Sequence, residues 1–153
     1  MHQDRIDNAT HRLTELLIPI LRAAPGSYDR VVLVEKQTGL VAETFVDLYS
    51  PDGTSQWVDF SSDGQAEADL HDACYSPGAG SWFSATITLH RNGIIETDFD
   101  YDQDPRSTKP HMSIPVSAAA IRREIECYPR DPDKWPLWFL GAARGFGVDV
   151  ATQ

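Results

Sequence analysis

Apolar residues at 6, 9, 13, 16, 17, 20 and 21 recur at helical spacing, with Arg5, Arg12 and Glu15 opposite. They predict an amphipathic helix over 6–21. Pro19 is expected to kink or shorten its last turn, and Pro25-Gly26 to end it. The period then changes. Short β-branched and alternating runs at 31–34, 41–49 and 55–60 read as three strands, separated by Gln37-Thr38-Gly39 and Pro51-Asp52-Gly53 turns. Asp63 is a candidate cap for a helix through Gln65, Ala66, Leu70, Ala73 and Cys74. Residues 82–90 alternate, Asn92-Gly93 supplies a hairpin turn, and 94–102 alternate in return. Ser117 is placed to cap a helix carrying Ala118, Ile121 and Ile125 on one stripe. Asp133 is expected to cap a last helix over 134–144, with Pro136 in its first turn and Gly145 ending it.

The order helix, three strands, helix, two strands, helix, helix predicts an α+β fold. Sequential hairpins favour an antiparallel sheet of about five strands covered by helices, in a single domain over 1–153. The polar start and the absence of a long apolar run argue for a cytoplasmic protein. Cys74 and Cys127 form no C-x-x-C pair and are expected to be buried thiols.

Period-two geometry assigns faces to the strands. If Phe83, Ala85, Ile87 and Leu89 face the core, then Trp82, Ser84, Thr86, Thr88 and His90 face away. With Ile95, Thr97, Phe99 and Tyr101 inward, Glu96, Asp98, Asp100 and Asp102 point outward together. In the second strand Glu43, Phe45, Asp47 and Tyr49 fall outside, and in the third Trp57 and Asp59 do.

Charge sharpens this picture. The chain holds 13 Lys and Arg against 23 Asp and Glu, a net −10. Between Gln37 and Pro105 there are 13 acids and one base, Arg91, so the imbalance lies in the strands and the helix between them. Such a surface repels phosphate, which disfavours nucleic acid and anionic membranes as partners and favours a basic protein. Rings set among acids are the composition of a protein-binding surface, with rings as anchors and charge as steering. The competing expectation is that Trp135, Trp138 and Phe139 fold over the same face and bury it. Arg91 is expected to pair within the sheet with Glu96 or Asp98.

No catalytic constellation emerges. An EF-hand loop from Asp98 would need Gly and Glu where Gln103 and Lys109 stand. Asp102 to Asp104 is expected to cap the strand end and to hold Arg106 or Lys109. His71 and Cys74 lack a second ligand pair at zinc spacing. No nucleophile elbow, P-loop or dinucleotide turn is present. No cofactor and no enzymatic activity are expected. Two alternatives stay open: a small metal-dependent hydrolase built on Asp98, Asp100 and Asp102, and a protein-interaction adaptor that uses the same face.

Trp82-Phe83-Ser84, Arg91-Asn92-Gly93, Phe99-Asp100-Tyr101-Asp102, Tyr128-Pro129-Arg130-Asp131 and Pro136-Leu137-Trp138 together resemble the YezG-like immunity proteins of bacterial polymorphic toxin systems. The resemblance covers roughly residues 80 to 140; before that it extends only to element order. It implies an antitoxin that binds a cognate toxin and sterically blocks its basic active-site cleft, the toxin being a nuclease or an NAD-hydrolysing enzyme. The residues expected to meet that toxin are Glu43, Asp47, Tyr49, Trp57, Asp59, Trp82, Glu96, Asp98, Asp100, Tyr101, Asp102 and Asp104.

Overall fold

A computed structural model describes residues 2–106, 114 and 116–150. The elements are α1 (Gln3–Ala23), β1 (Arg30–Thr38), β2 (Val41–Tyr49), β3 (Ser55–Val58), α2 (Gln65–Ala73), β4 (Ser84–His90), β5 (Ile95–Asp100), α3 (Ala118–Cys127) and α4 (Leu137–Gly145). The five strands form one antiparallel sheet in the order β3-β2-β1-β4-β5. This is the predicted α+β architecture and element order. No helix among the described residues is long and apolar enough to cross a membrane.

Two apolar clusters hold it. The larger lies between one sheet face and helices α1 and α2: Ile6, Ala9, Leu13, Leu17 and Leu21 meet Val31, Leu33, Val46, Leu48, Ile87 and Leu89, with Leu70 and Trp82 alongside. The second gathers Phe83, Val116, Ile121, Ile125, Trp135, Phe139 and Ala143 around α3 and α4. The two clusters meet at Trp82 and Phe83, just before β4, where neighbouring rings enter different clusters.

Three local expectations are corrected. Helix α1 runs through Pro19 to Ala23, so the proline does not shorten it; Pro19 is exposed, and water can serve the carbonyl it leaves unbonded. Asp133 does not cap the last helix; it sits in a 3-10 turn, Pro132–Lys134. Trp135 is extended (ψ 128°), as a residue preceding proline prefers, so Pro136 becomes the N-cap of α4. Cys127 is exposed while Cys74 is buried, and both are free thiols. The Ser117 cap forms as expected, its hydroxyl accepting the Ala120 N–H at 3.1 Å. Lys109 and the segment 107–113 lie outside the described residues.

Candidate functional site

The strand registers assemble the side of the sheet away from α1 and α2 rung by rung. One rung runs Trp57, Asp47, Val32, Thr88, Glu96; the next runs Phe45, Val34, Thr86, Asp98. Beyond them lie Glu43, Lys36, Ser84, Asp100 on one side and Tyr49, Arg30, His90 on the other. At ~4.8 Å per strand, the row from Trp57 to Glu96 spans about 19 Å. The second cluster takes none of Val32, Val34, Phe45, Tyr49 or Trp57. Helices α3 and α4 therefore close the end of the sheet, not this face. Trp57 is 58% exposed, and a cleft of about 670 Å³ lies against Glu43, Phe45, Asp47, Trp57 and Phe60.

The electrostatics of the face are uneven. Arg30 stacks over the Tyr49 ring at 5.0 Å and pairs with Asp29 at 2.9 Å. The Lys36 ammonium, buried at the end of the face, donates to the Pro105 carbonyl at 3.0 Å, and burial lowers its pKa. His90 stands 3.2 Å from Glu96 without hydrogen-bond geometry. Arg91, expected to pair with Glu96 or Asp98, instead donates to the carbonyls of Tyr28 (2.8 Å), Pro25 (3.1 Å) and Ala24 (3.5 Å). Among the described residues Glu43, Asp59 and Asp98 have no cationic partner.

The residues named from the sequence divide into three groups. Glu43, Asp47, Tyr49, Trp57, Glu96, Asp98 and Asp100 share this face, which among the described residues no helix covers, although Asp47 is only 4% exposed between Val32 and Trp57. Asp59, Asp102 and Asp104 lie on the loops that follow β3 and β5. There Asp104 pairs with Arg106 at 3.0 Å, while the Asp100 carboxylate accepts the backbone N–H groups of Asp102 and Gln103, both at 2.9 Å. Asp100 and Asp104 thus shape the loop. Trp82 and Tyr101 belong to the interior. Trp82 is fully buried, because the pleat that would have turned it outward begins only at Ser84. The Tyr101 hydroxyl donates to the Cys74 carbonyl at 2.7 Å.

Apart from the Arg91-Asn92-Gly93 turn, the segments that carry the family resemblance meet elsewhere, where the C-terminal helices join the sheet. His71 lies edge-on to Trp82 and Tyr128, with centroids 4.6 and 4.4 Å away. Its Nε2 is 3.0 Å from the Trp82 carbonyl; burial lowers its pKa to about 4, so the ring is neutral and Nε2–H donates. The Tyr128 hydroxyl donates to Asp72 at 2.6 Å. Trp138 donates through Nε1 to the Asp102 carbonyl at 2.7 Å and meets Phe83 edge-on. These are packing roles.

The Asp98, Asp100 and Asp102 row does not converge: β5 ends at Asp100, and the Asp100 carboxylate is committed to its turn. Among the described residues no three His, Cys, Asp or Glu side chains are grouped as a metal site would need. Sequence reasoning missed the contribution of β1. Its run Val31-Val32-Leu33-Val34 has no alternation, and only pairing with β2 reveals that Arg30, Val32 and Val34 floor the face. No family model matches this chain, and the search of curated proteins returned no match.

Proposed function

We propose that this protein is a stoichiometric inhibitor of the immunity-protein kind. It binds a basic toxin domain through the open sheet face and blocks that domain's active site. The observation that supports this reading is that one face carries an exposed Trp57 together with Glu43 and, about 19 Å across the sheet, Asp98, carboxylates that no cation of the described residues neutralises. A ring beside a cleft supplies the desolvated anchor of an interface, and surrounding acids raise the rate at which a cationic partner arrives. Nucleases and NAD-hydrolysing toxins both bind phosphate in cationic clefts, and carboxylates on a rigid sheet occupy that place without undergoing reaction.

The test is to ask whether a neighbouring gene encodes a toxin domain and to co-express this protein with it. A one-to-one complex and restored growth are expected. Glu43→Lys with Asp98→Lys slows association at low salt by roughly tenfold or more, and Trp57→Ala speeds dissociation, while the circular dichroism of each stays native. A complex indifferent to all three substitutions would remove this face from the proposal. Failure of the wild-type pair to associate would remove the function.

A further inference from the structure

A second cavity, of about 360 Å³, lies between the edge of β2 and the start of α2. It is at the small end of ligand pockets, roughly 300–1,000 Å³. Leu40, Ala42 and Phe60 give it apolar walls, and Glu35, Thr44 and Ser62 give it polar ones. Its position follows from strand length: β3 pairs only with Val46 to Tyr49, so among the described residues no strand lies beyond the first half of β2.

The polar end of this cavity is unusual. Glu35 is 1% exposed, yet it lines the space, and its carboxyl accepts the Thr44 hydroxyl. Behind Ser62 stands Glu67, 3% exposed, whose Oε1 accepts the Ser62 hydroxyl at 2.6 Å. Its Oε2 is buried and has no hydrogen-bond partner among the described residues. No Lys or Arg of the described residues pairs with either carboxyl. An unpaired buried carboxylate is costly, and two together more so.

We propose that this cavity is a binding pocket for one alkylguanidinium or alkylammonium group, its charge met by Glu35 in the wall, with Glu67 adding negative potential from behind Ser62, and its stem held by Leu40, Ala42 and Phe60. The chemistry excludes closer alternatives. An anion would face the Glu35 and Glu43 carboxyls in the wall, and among the described residues no three Asp, Glu, His or Cys side chains are grouped as a bare metal ion would need. An aliphatic stem bearing a delocalised cation matches both ends, and Phe60 offers a ring to it.

Without the cation, Glu35 keeps a proton: burial first, then Glu67 from α2 and Glu43 from β2, push its pKa to about 8 against the Thr44 hydrogen bond. Binding therefore exchanges that proton for the cation, the proton leaving to solvent. The cation has two sources, a free small amine or guanidine and the Arg or Lys side chain of a partner strand laid along β2. The cavity shares Glu43, Thr44 and Phe60 with the open-face cleft, but the proposal does not require the inhibitor reading.

The experiment titrates the full chain with n-butylguanidinium, n-butylammonium and neutral n-butylurea at constant ionic strength, following carboxyl carbon and backbone amide resonances. Both cations are expected to give saturable shifts at Glu35, Thr44, Ser62 and Glu67, with affinity rising about tenfold from pH 6.5 to 7.5 as the proton is released. Butylurea gives none. Glu35→Gln with Glu67→Gln abolishes the response, whereas Trp57→Ala and Asp98→Lys leave it intact, which separates this pocket from the open face. A capped extended peptide with one central Arg that binds more tightly than butylguanidinium assigns the pocket to a partner side chain. Weaker binding of that peptide assigns it to a free small cation. Equal responses to butylurea, shifts without saturation, or pH-independent binding by the wild-type protein would overturn the proposal.

Discussion

The Glu124 carboxylate accepts the backbone N–H of Gly39 at 2.7 Å, tying helix α3 to the hairpin between β1 and β2 across 85 positions of sequence. Both residues are buried. Gly39 has φ +60°, and a Cβ there would stand 2.5 Å from the Ala120 carbonyl oxygen and 2.9 Å from Arg123 Cβ. Gly39→Ala therefore combines left-handed backbone strain with a backbone clash, and we expect a loss of roughly 2–4 kcal/mol. Glu124→Ala leaves a buried N–H without a partner, at a cost of roughly 1–3 kcal/mol, whereas Glu124→Gln keeps an acceptor and costs less. Urea unfolding measures all three. A Gly39→Ala protein as stable as wild type would mean that the hairpin does not dock on α3.

Two tryptophans assigned to the same face from the sequence should behave oppositely. Trp82 is fully buried against His71, so Trp82→Ala is expected to cost roughly 3–5 kcal/mol. Trp57 is mostly exposed on the short edge strand, so Trp57→Ala should change stability by about 0.5 kcal/mol or less. Fluorescence quenching by acrylamide offers an independent reading: Trp57→Phe should remove the most accessible part of the emission. Strong destabilisation by Trp57→Ala would indicate a packed ring and weaken the binding-face proposal.

Alternation carried the sheet because it has a direct physical cause: a pleated strand with one covered face must alternate. It placed Glu43, Phe45, Trp57 and Asp98 correctly. It failed at Trp82, where the pattern starts two residues before the strand begins. The carboxylate row shows a second kind of failure. Spacing gives orientation within a strand, but it does not tell whether a carboxylate will be consumed by its own loop, as Asp100 and Asp104 are. Glu35 was illegible for a third reason. Its burial comes from α2 and the loop before it, contacts that no local pattern encodes.

Arg130 is the clamp at the junction of the two clusters. Its Nη2 donates to the Ser81 carbonyl at 2.7 Å, its Nη1 to the Tyr101 carbonyl at 2.8 Å, and the guanidinium lies over Phe83 at 4.6 Å. Gly80 makes room for it, since a Cβ there would lie 2.5 Å from the Arg130 Nε. Lysine has neither the fork nor the plane. Arg130→Lys should therefore lose roughly 2–4 kcal/mol, nearly as much as Arg130→Ala, by stranding the buried Ser81 carbonyl and the part-buried Tyr101 carbonyl. Hydrogen exchange would show α3 and α4 loosening while β1, β2 and β4 stay protected. Uniform loosening of the whole chain would refute a local clamp.

Stability should decline as pH rises above neutrality, and Glu35 should control the decline. In the folded protein this carboxyl keeps its proton up to about pH 8, chiefly through burial, whereas the ordinary value in the unfolded chain is 4.5. The native state thus binds more protons between those values, and stability falls with rising pH across the interval. Glu124, raised by burial to about 7, has the same sign but finishes earlier. His71 has the opposite sign: its folded value of about 4 lies below the ordinary 6.5, so its contribution is lost as pH falls through that lower window. Between pH 6.5 and 8, then, His71 contributes little, and Glu35 and Glu124 act with the same sign. Glu35 should account for a loss of roughly 2 kcal/mol there. Unfolding in urea at pH 6.5 and 8.5 should show this loss in the wild-type protein and remove most of it in Glu35→Gln, leaving the smaller share of Glu124. Parallel pH profiles for the two proteins would mean that Glu35 is already ionised at neutral pH and that its buried site is satisfied in some other way.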